Sequence, residues 1–352
     1  MAEVSATKPL RIVSIGGGNG LSTLLRGLKR YARAVEGAFD LTAVVTVTDD
    51  GGSSGRLRRD FDVLPPGDIR NCMLALCADE ALLSRLFNFR FSSGRGLKGH
   101  SFGNLFLTAM THLTGDFSHA VQLSAEVLAV AGRIYPSTRA NVSLEAILAD
   151  GTRVKGETCI SRSTSRIERV VLSPRRARPL SETLEAMECA DLITLGPGSL
   201  FTSVVPNLLV EGIPRAIAGS RAVKAYFMNL MTQPGETSGF RASDHLQALR
   251  DHAGRFAHGL VDVCVVNSGS FAGRVVKQYG AREARPVEID RERLEAMGVR
   301  VVQADLLRAS GRARTPAAKI RHDSGSLGAI AVELARERDA QRTRARSKGK
   351  MP

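Results

Sequence analysis

The chain has 352 residues and 43% hydrophobic content, enough for one large core or two smaller ones. Its 49 Lys and Arg against 35 Asp and Glu give a formal charge of +14. No apolar run reaches the length of a membrane span, no signal peptide is recognisable, and Cys72, Cys77, Cys159, Cys189 and Cys264 show neither CxxC pairs nor zinc spacing, so a reduced cytoplasm is the expected compartment.

Residues 1–9 read as a loose leader. Residues 10–15 form a short apolar strand, after which Gly16, Gly17, Gly18, Asn19 and Gly20 open a helix beginning near Leu21. Leu21, Leu24, Leu25 and Leu28 then recur at helical spacing. The apolar run 41–47 is the next strand, so the chain opens with a βαβ unit and a parallel sheet is expected. At that strand's carboxyl end stand Asp49 and Asp50, followed by Gly51, Gly52, Ser53, Ser54 and Gly55. Open α/β sheets place ligands there, and the glycines and hydroxyls are suited to face an anion. Adjacent carboxylates repel, so they persist best beside a cation or a ligand's donors. A polar turn with aspartate caps is the plainer alternative.

Pro65, Pro66 and Gly67 make a turn, and Asp68 and Asn71 lie at the start of a helix that includes Met73, Leu74 and Leu76. Mostly helical sequence continues to about residue 131, interrupted at 94–100. His100, Ser101 and Asn104 form a polar cluster before another helix; His100 is either a general acid or base or a cap. Thr138 and Asn141 lie in a loop rich in donors and acceptors. Asp150-Gly151 then supplies the turn of a hairpin between 142–148 and 152–158, within a β-rich insertion over about 140–175.

The α/β rhythm resumes with a strand at 191–195 that leads into Gly196, Pro197, Gly198 and Ser199. Further strands are expected at 224–230 and 261–267, with a helix at 243–253 between them and a last helix at 326–338. Thr232 and Gln233 follow the first of these strands. Tyr279 is suited to stack on a base and Arg321 to pair with a phosphate. The expected fold is therefore α/β: a Rossmann-like parallel sheet flanked by helices, in one domain over 10–335. Residues 336–352 are expected to be a basic disordered tail. Its Arg336, Arg338, Arg342, Arg344, Arg346, Lys348 and Lys350 outnumber Glu337 and Asp339, but no aromatic is interleaved to stack on bases, so nucleic acid is not the expected partner.

The first glycine loop only partly matches a dinucleotide fingerprint. Gly16 and Gly18 are in place, whereas Leu21 holds the third glycine position. Asp49 and Asp50 also come later than the roughly 20-residue spacing of a ribose-binding carboxylate. The loop supports a phosphate or sugar at a helix N-terminus rather than NAD. Gly196 to Ser199 repeats the device, and several such exits in one sheet can converge on a single diphosphate.

In order along residues 10–330, Gly16 to Leu21, Thr48 to Arg56, Pro66 to Asn71, Gly99 to Asn104, Gly196 to Phe201 with Pro206-Asn207, and Met231 to Thr237 resemble the YvcK/CofD family. The YvcK branch, called gluconeogenesis factor, is the more similar, although Asn19 stands where a Thr is expected. The resemblance implies a Rossmann-like fold binding a UDP-sugar such as UDP-N-acetylglucosamine, with a regulatory role in carbon metabolism, cell-wall synthesis and cell shape. The CofD branch implies instead a transferase of phospholactyl groups that uses a divalent metal. Carried over residue by residue, Asp49 and Asp50 would hold Mg²⁺ or the ligand; if the protein is an enzyme, the residue types make Asp49, Asp50 and His100 the catalytic candidates. Gly16 to Leu21 and Gly196 to Ser199 would approach phosphates, and Tyr279 and Arg321 would complete the pocket. Analogy with sheets of this kind allows a homodimer.

Overall fold

The computed structural model describes residues 8–34, 38–78, 80–281, 283–308 and 320–348. β1 (Leu10–Gly16) runs into α1 (Gly18–Ala34), and β2 (Phe39–Val45) into α2 (Gly52–Phe61) and α3 (Gly67–Leu76). α4 (Glu80–Asn88), α5 (Phe102–Thr114) and α6 (Phe117–Val127) lead to β3 (Arg133–Pro136). The insertion supplies β4 (Ser143–Leu148), β5 (Arg153–Lys155), α7 (Glu157–Ile160) and β6 (Ile167–Ser173). Then come α8 (Ser181–Cys189), β7 (Leu192–Leu195), a π-helical turn (Leu200–Val204), α9 (Val205–Leu208), α10 (Ile213–Gly219) and β8 (Val223–Phe227). The described chain finishes with α11 (Ala242–Ala253), β9 (Val263–Asn267), α12 (Gly273–Gly280), α13 (Arg291–Ala296), β10 (Arg300–Ala304) and a C-terminal helix, Ser324–Lys348.

Seven strands pair in parallel in the order β10-β9-β8-β7-β1-β2-β3, with helices packed against the sheet. Parallel strands covered on both faces must be apolar throughout, and β7 is buried along its whole length. Connections walk outward from β1 through β2 to β3, then cross back to β7 and walk the other way. The order thus reverses between β1 and β7, which is where a sheet of this kind opens a crevice for ligands. The insertion is a separate antiparallel sheet, β5-β4-β6, whose central strand alternates buried and half-buried residues. Its hairpin turns at Gly151, whose φ of 82° suits glycine.

Several expectations shift, among them the second hairpin strand, which ends at Lys155 before α7, and the strand expected at 224–230, which ends at Phe227. α1 starts at Gly18 rather than near Leu21, because the Leu21 N–H already bonds the Gly17 carbonyl at 3.4 Å. β2 ends at Val45, before the turn that presents the aspartates. The C-terminal helix continues through residues 336–348, expected as a disordered tail, since no proline or glycine follows Gly328 within it and its Ala, Glu, Gln and Arg residues favour helix. Residues 1–7 of the leader and 349–352 of the tail lie outside the described residues. Among the described residues no helix is long and apolar enough to cross a membrane.

α1 and the C-terminal helix cross in backbone contact. A Cβ placed on Gly27 would lie 1.9 Å from the Ser324 carbonyl oxygen, and one on Gly328 would lie 2.6 Å from the Gly27 carbonyl carbon. Gly27→Ala must separate two helices rather than turn a side chain. A loss of about 1–3 kcal/mol is expected from such overpacking, read as a lower urea midpoint; an unchanged midpoint would show that the crossing tolerates the methyl group.

Candidate functional site

The glycine exits of β1 and β7 meet at the switch point. A Cβ on Gly20 would fall 2.1 Å from the Pro197 carbonyl oxygen and 2.8 Å from the Gly198 Cα, so the two turns touch backbone to backbone. The side-chain amide of Asn207 donates to the Gly16 carbonyl (3.3 Å) and the Ser203 carbonyl (2.8 Å), fastening one exit to the other. The Gly198 N–H donates to Asn229 Oδ1 (3.2 Å), and Gln233 Nε2 donates to Ser199 Oγ (2.8 Å).

These turns floor a cavity of about 420 Å³. Asn19 and Gly20 enter from α1, Pro197, Gly198 and Ser199 from the β7 exit, and Thr232 and Gln233 from the loop after β8, while Tyr279 and Arg321 also line the cavity. The N-terminus of α1 supplies N–H groups and the positive end of its dipole, Arg321 a charge-assisted fork, and Tyr279 a ring for a planar group. The Tyr279 hydroxyl accepts from the Ile320 N–H at 3.1 Å, which orients the ring. Gln233 Oε1 is buried without a partner, an acceptor held at the wall for a donor.

His322 also lines the cavity, and its Nε2–H donates to the Met228 carbonyl at 3.1 Å. Burial pushes its pKa down to about 4, against an ordinary value of 6.5. Its contribution to stability is therefore complete above about pH 6.5 and lost as the pH falls towards 4, where the unfolded chain takes up a proton that the folded chain refuses. His322→Gln is expected to flatten the fall in Tm between pH 7 and pH 5; parallel profiles for the two proteins would contradict this.

Behind the first glycine loop lies an acidic chamber. A Cβ on Gly17 would meet Asp68 Oδ2 at 2.7 Å, and one on Gly67 would meet Asp49 Oδ2 at 2.7 Å. Asp49 Oδ1 accepts from the Gly51 N–H (2.9 Å), while Asp50 Oδ1 accepts from the N–H (3.0 Å) and hydroxyl (2.9 Å) of Thr158. Burial first, then Asp49, raise the Asp68 pKa to about 7, although Asp68 keeps some solvent contact. Burial, then Asp49, Asp68, Glu236 and Asp50, push Glu157 up to about 9. Crowded carboxylates that raise one another's pKa suit a divalent cation, and an all-oxygen set suits Mg²⁺. Among the described residues no three acidic, His or Cys side chains stand close enough to encage an ion. A metal held by Asp49 and Asp68 would need ligand phosphate oxygens and water to complete its shell, the usual arrangement for Mg²⁺.

The remaining expected residues lie outside the cavity lining. Ser54, Asn71, Ser101 and Asn104 frame the chamber through Arg70, which donates to Ser101 Oγ (2.6 Å), Asn104 Oδ1 (2.9 Å) and Asn71 Oδ1 (3.0 Å); Asn104 Nδ2 donates in turn to Ser54 Oγ (3.3 Å). His100 Nδ1 lies 3.0 Å from Ser53 Oγ, both side chains are buried, and desolvation followed by Arg56 lowers the imidazole pKa. Neither lines the 420 Å³ cavity.

Gly51 and Gly52 open α2, Gly52 at φ 46°. Leu21 is fully buried in the core with its N–H used inside the loop, so it packs the loop and does not face the cavity. Thr138 and Asn141 are not brought to this site. The Thr138 hydroxyl donates to the Arg178 carbonyl at 2.7 Å, and Asn141 Nδ2 donates to Asp62 at 2.9 Å.

Four contributors escaped the sequence reading. Asn229 and His322 had only a signal in hindsight, a polar residue ending an apolar strand and one beside Arg321. Glu157 stands 108 positions after Asp49 in the insertion, where nothing local marks it. Glu236 is buried and accepts from Thr202 Oγ1 (3.2 Å), Ser161 Oγ (3.3 Å) and the Phe201 N–H (3.3 Å), tying the loop after β8 to the π-helical turn.

Residues 12–307 match the family of 2-phospho-L-lactate transferase CofD. The gluconeogenesis factor of Bacillus subtilis is 45% identical over 327 residues, 93% of this chain and 98% of that protein. The gluconeogenesis factor of Halalkalibacterium halodurans is 48% identical over 292 residues, 83% of this chain and 88% of that one. The chain spans 63% of the length of a Nostoc sp. relative to which it is 49% identical over 297 residues. A crystal structure of a UPF0052-family protein from Bacillus halodurans superposes with a TM-score of 0.85 at 44% identity, covering 93% of this chain and 99% of that one. With residues 12–307 matched by the family model and relatives 45–48% identical over most of both chains, the chain belongs to the CofD family, among relatives named gluconeogenesis factor.

Proposed function

We propose that the protein binds a UDP-sugar, UDP-N-acetylglucosamine foremost, and acts in the cytoplasm as a regulator tied to carbon metabolism, cell-wall synthesis and cell shape. One observation carries the reading: two glycine exits pressed together at the switch point, with an aromatic and an arginine lining the same cavity. The diphosphate lies on the N–H groups of Gly18, Asn19 and Gly20 and beside Gly198 and Ser199, where no side chain obstructs it. The uracil lies towards Tyr279, and the sugar towards Thr232 and Gln233, whose buried carbonyl oxygen takes a hydroxyl or amide donor. Arg321 neutralises phosphate charge.

A second reading has its own support in the acidic chamber. In that reading, which resembles a phospholactyl-type transferase, Asp49 and Asp68 would hold Mg²⁺, which would supply charge stabilisation for a departing nucleotide phosphate. Gly17 packs against Asp68, so the first glycine loop would bring the phosphates beside these carboxylates. Prolonged incubation with UDP-N-acetylglucosamine and Mg²⁺ separates the readings. A sensor returns the ligand intact, whereas release of UDP or UMP that is lost in Asp49→Asn would favour transfer chemistry.

A further inference from the structure

α4 and the segment after it carry more apolar side chains than the core uses. Leu83 and Phe87, four positions apart, pack inward, and the buried Phe87 ring meets Phe102 and Phe106 edge-on, with centroids 5.7 and 5.2 Å away. That closes the core beside α4. Leu86 and Phe89 are nevertheless 42% and 53% exposed. Phe89 opens a short hairpin: its carbonyl accepts from the Phe102 N–H (2.9 Å), the Phe91 N–H donates to the His100 carbonyl (3.0 Å), and the Gly99 N–H donates to the Phe91 carbonyl (2.7 Å). The Phe91 ring stands edge-on to Phe89 at 5.2 Å, and Leu97 in the turn is 43% exposed.

The base of this hairpin is fastened to the body of the protein. His100 Nδ1 lies 3.0 Å from Ser53 Oγ, and Ser101 Oγ accepts from Arg70 at 2.6 Å. Residues 92–98 are all exposed, so the hairpin is a held projection beside the back of α4.

Four exposed cations are interleaved with these apolar residues. Arg85 precedes Leu86, Arg90 stands between Phe89 and Phe91, and Arg95 and Lys98 flank Leu97, while residues 81–100 contain no Asp or Glu. Asp60 acts on the hairpin base at His100, opposed there by Arg56 and Arg90. A protein interface gathers its apolar residues into a core and sets charge at the rim. The boundary of an anionic bilayer instead takes Phe and Leu side chains among the acyl chains and Lys and Arg at the headgroups immediately above them. Alternation of the two residue types along one projecting face fits the bilayer. The chain's formal charge of +14 favours the same approach.

We propose that α4 and the 89–98 hairpin dock the protein on an anionic phospholipid surface, with Leu86, Phe89 and Leu97 entering the headgroup boundary and the four cations meeting lipid phosphates. The chain contains no Trp, so Phe89→Trp gives the full-length protein a single indole at this face. Its emission is expected to move to shorter wavelength with vesicles of phosphatidylcholine mixed with phosphatidylglycerol, and to stay unmoved with phosphatidylcholine alone. In co-sedimentation with the mixed vesicles, Leu86→Ser/Leu97→Ser and Arg85→Gln/Arg95→Gln/Lys98→Gln are each expected to weaken binding at least tenfold. The basic C-terminal helix is the rival surface, and Arg344→Gln/Arg346→Gln/Lys348→Gln should leave binding within threefold.

An emission that stays unmoved with the mixed vesicles overturns the proposal, and so does equal binding to the two kinds of vesicle. A loss in the C-terminal variant as large as in the face variants would assign the contact to that helix. A shift that grows with protein concentration in the absence of lipid would mean that a second copy covers the face, and would also overturn it. Phe89→Trp keeps an aromatic ring in place, so this readout does not depend on a disruptive substitution, and none of the readouts uses the nucleotide sugar.

Discussion

Replacing Gly20 with alanine is expected to abolish nucleotide-sugar binding and to cost about 3 kcal/mol of stability, the upper end for overpacking. The added Cβ would meet the Pro197 carbonyl at 2.1 Å and the Gly198 Cα at 2.8 Å, and none of these backbone atoms can rotate aside. The two turns must part, and the phosphate floor they form together is then lost. Urea denaturation and a UDP-N-acetylglucosamine titration of the same preparation check both halves. A Gly20→Ala protein with native midpoint and native affinity would mean that the turns do not need their present contact.

Arg321→Gln is expected to behave oppositely, weakening the nucleotide sugar by about ten- to a hundredfold while Tm stays within a degree or two. Arg321 is exposed, and its loss removes a charge-assisted contact worth about 1.5–3 kcal/mol without leaving a buried group unpaired. Tyr279→Phe is the companion: it keeps the ring and removes only the hydroxyl that accepts from Ile320, so a smaller loss is expected. If Arg321→Gln binds as well as the parent, the phosphates lie away from Arg321 and the proposed orientation of the ligand is wrong.

The fold was largely legible because its signals are local. Apolar runs of strand length, each ended by glycine or aspartate, announced β1, β2 and β7, and Asp150-Gly151 announced the hairpin. The glycine exits could be named as a phosphate floor, but their mutual contact could not, since Gly20 and Pro197 lie 177 positions apart. Sequence separation likewise hid Glu157, 108 positions after Asp49, and split the expected site into a cavity and an acidic cluster behind it. Thr138 and Asn141 carried the right atoms for a ligand, yet their hydrogen bonds run to Arg178 and Asp62. The C-terminal helix overran its expected end because charge composition suggested solvation while helix propensity continued unbroken. Gly27 stands within the leucine repeat of α1, and only the fold supplies its partner, Gly328.

Calorimetric titration of the full chain with UDP-N-acetylglucosamine, with and without Mg²⁺, tests the central claim most directly. Binding of one ligand per chain in the micromolar range, about −8 kcal/mol, without a requirement for metal is the expected result. No heat and no binding under either condition would contradict a UDP-sugar site at the junction of β1 and β7.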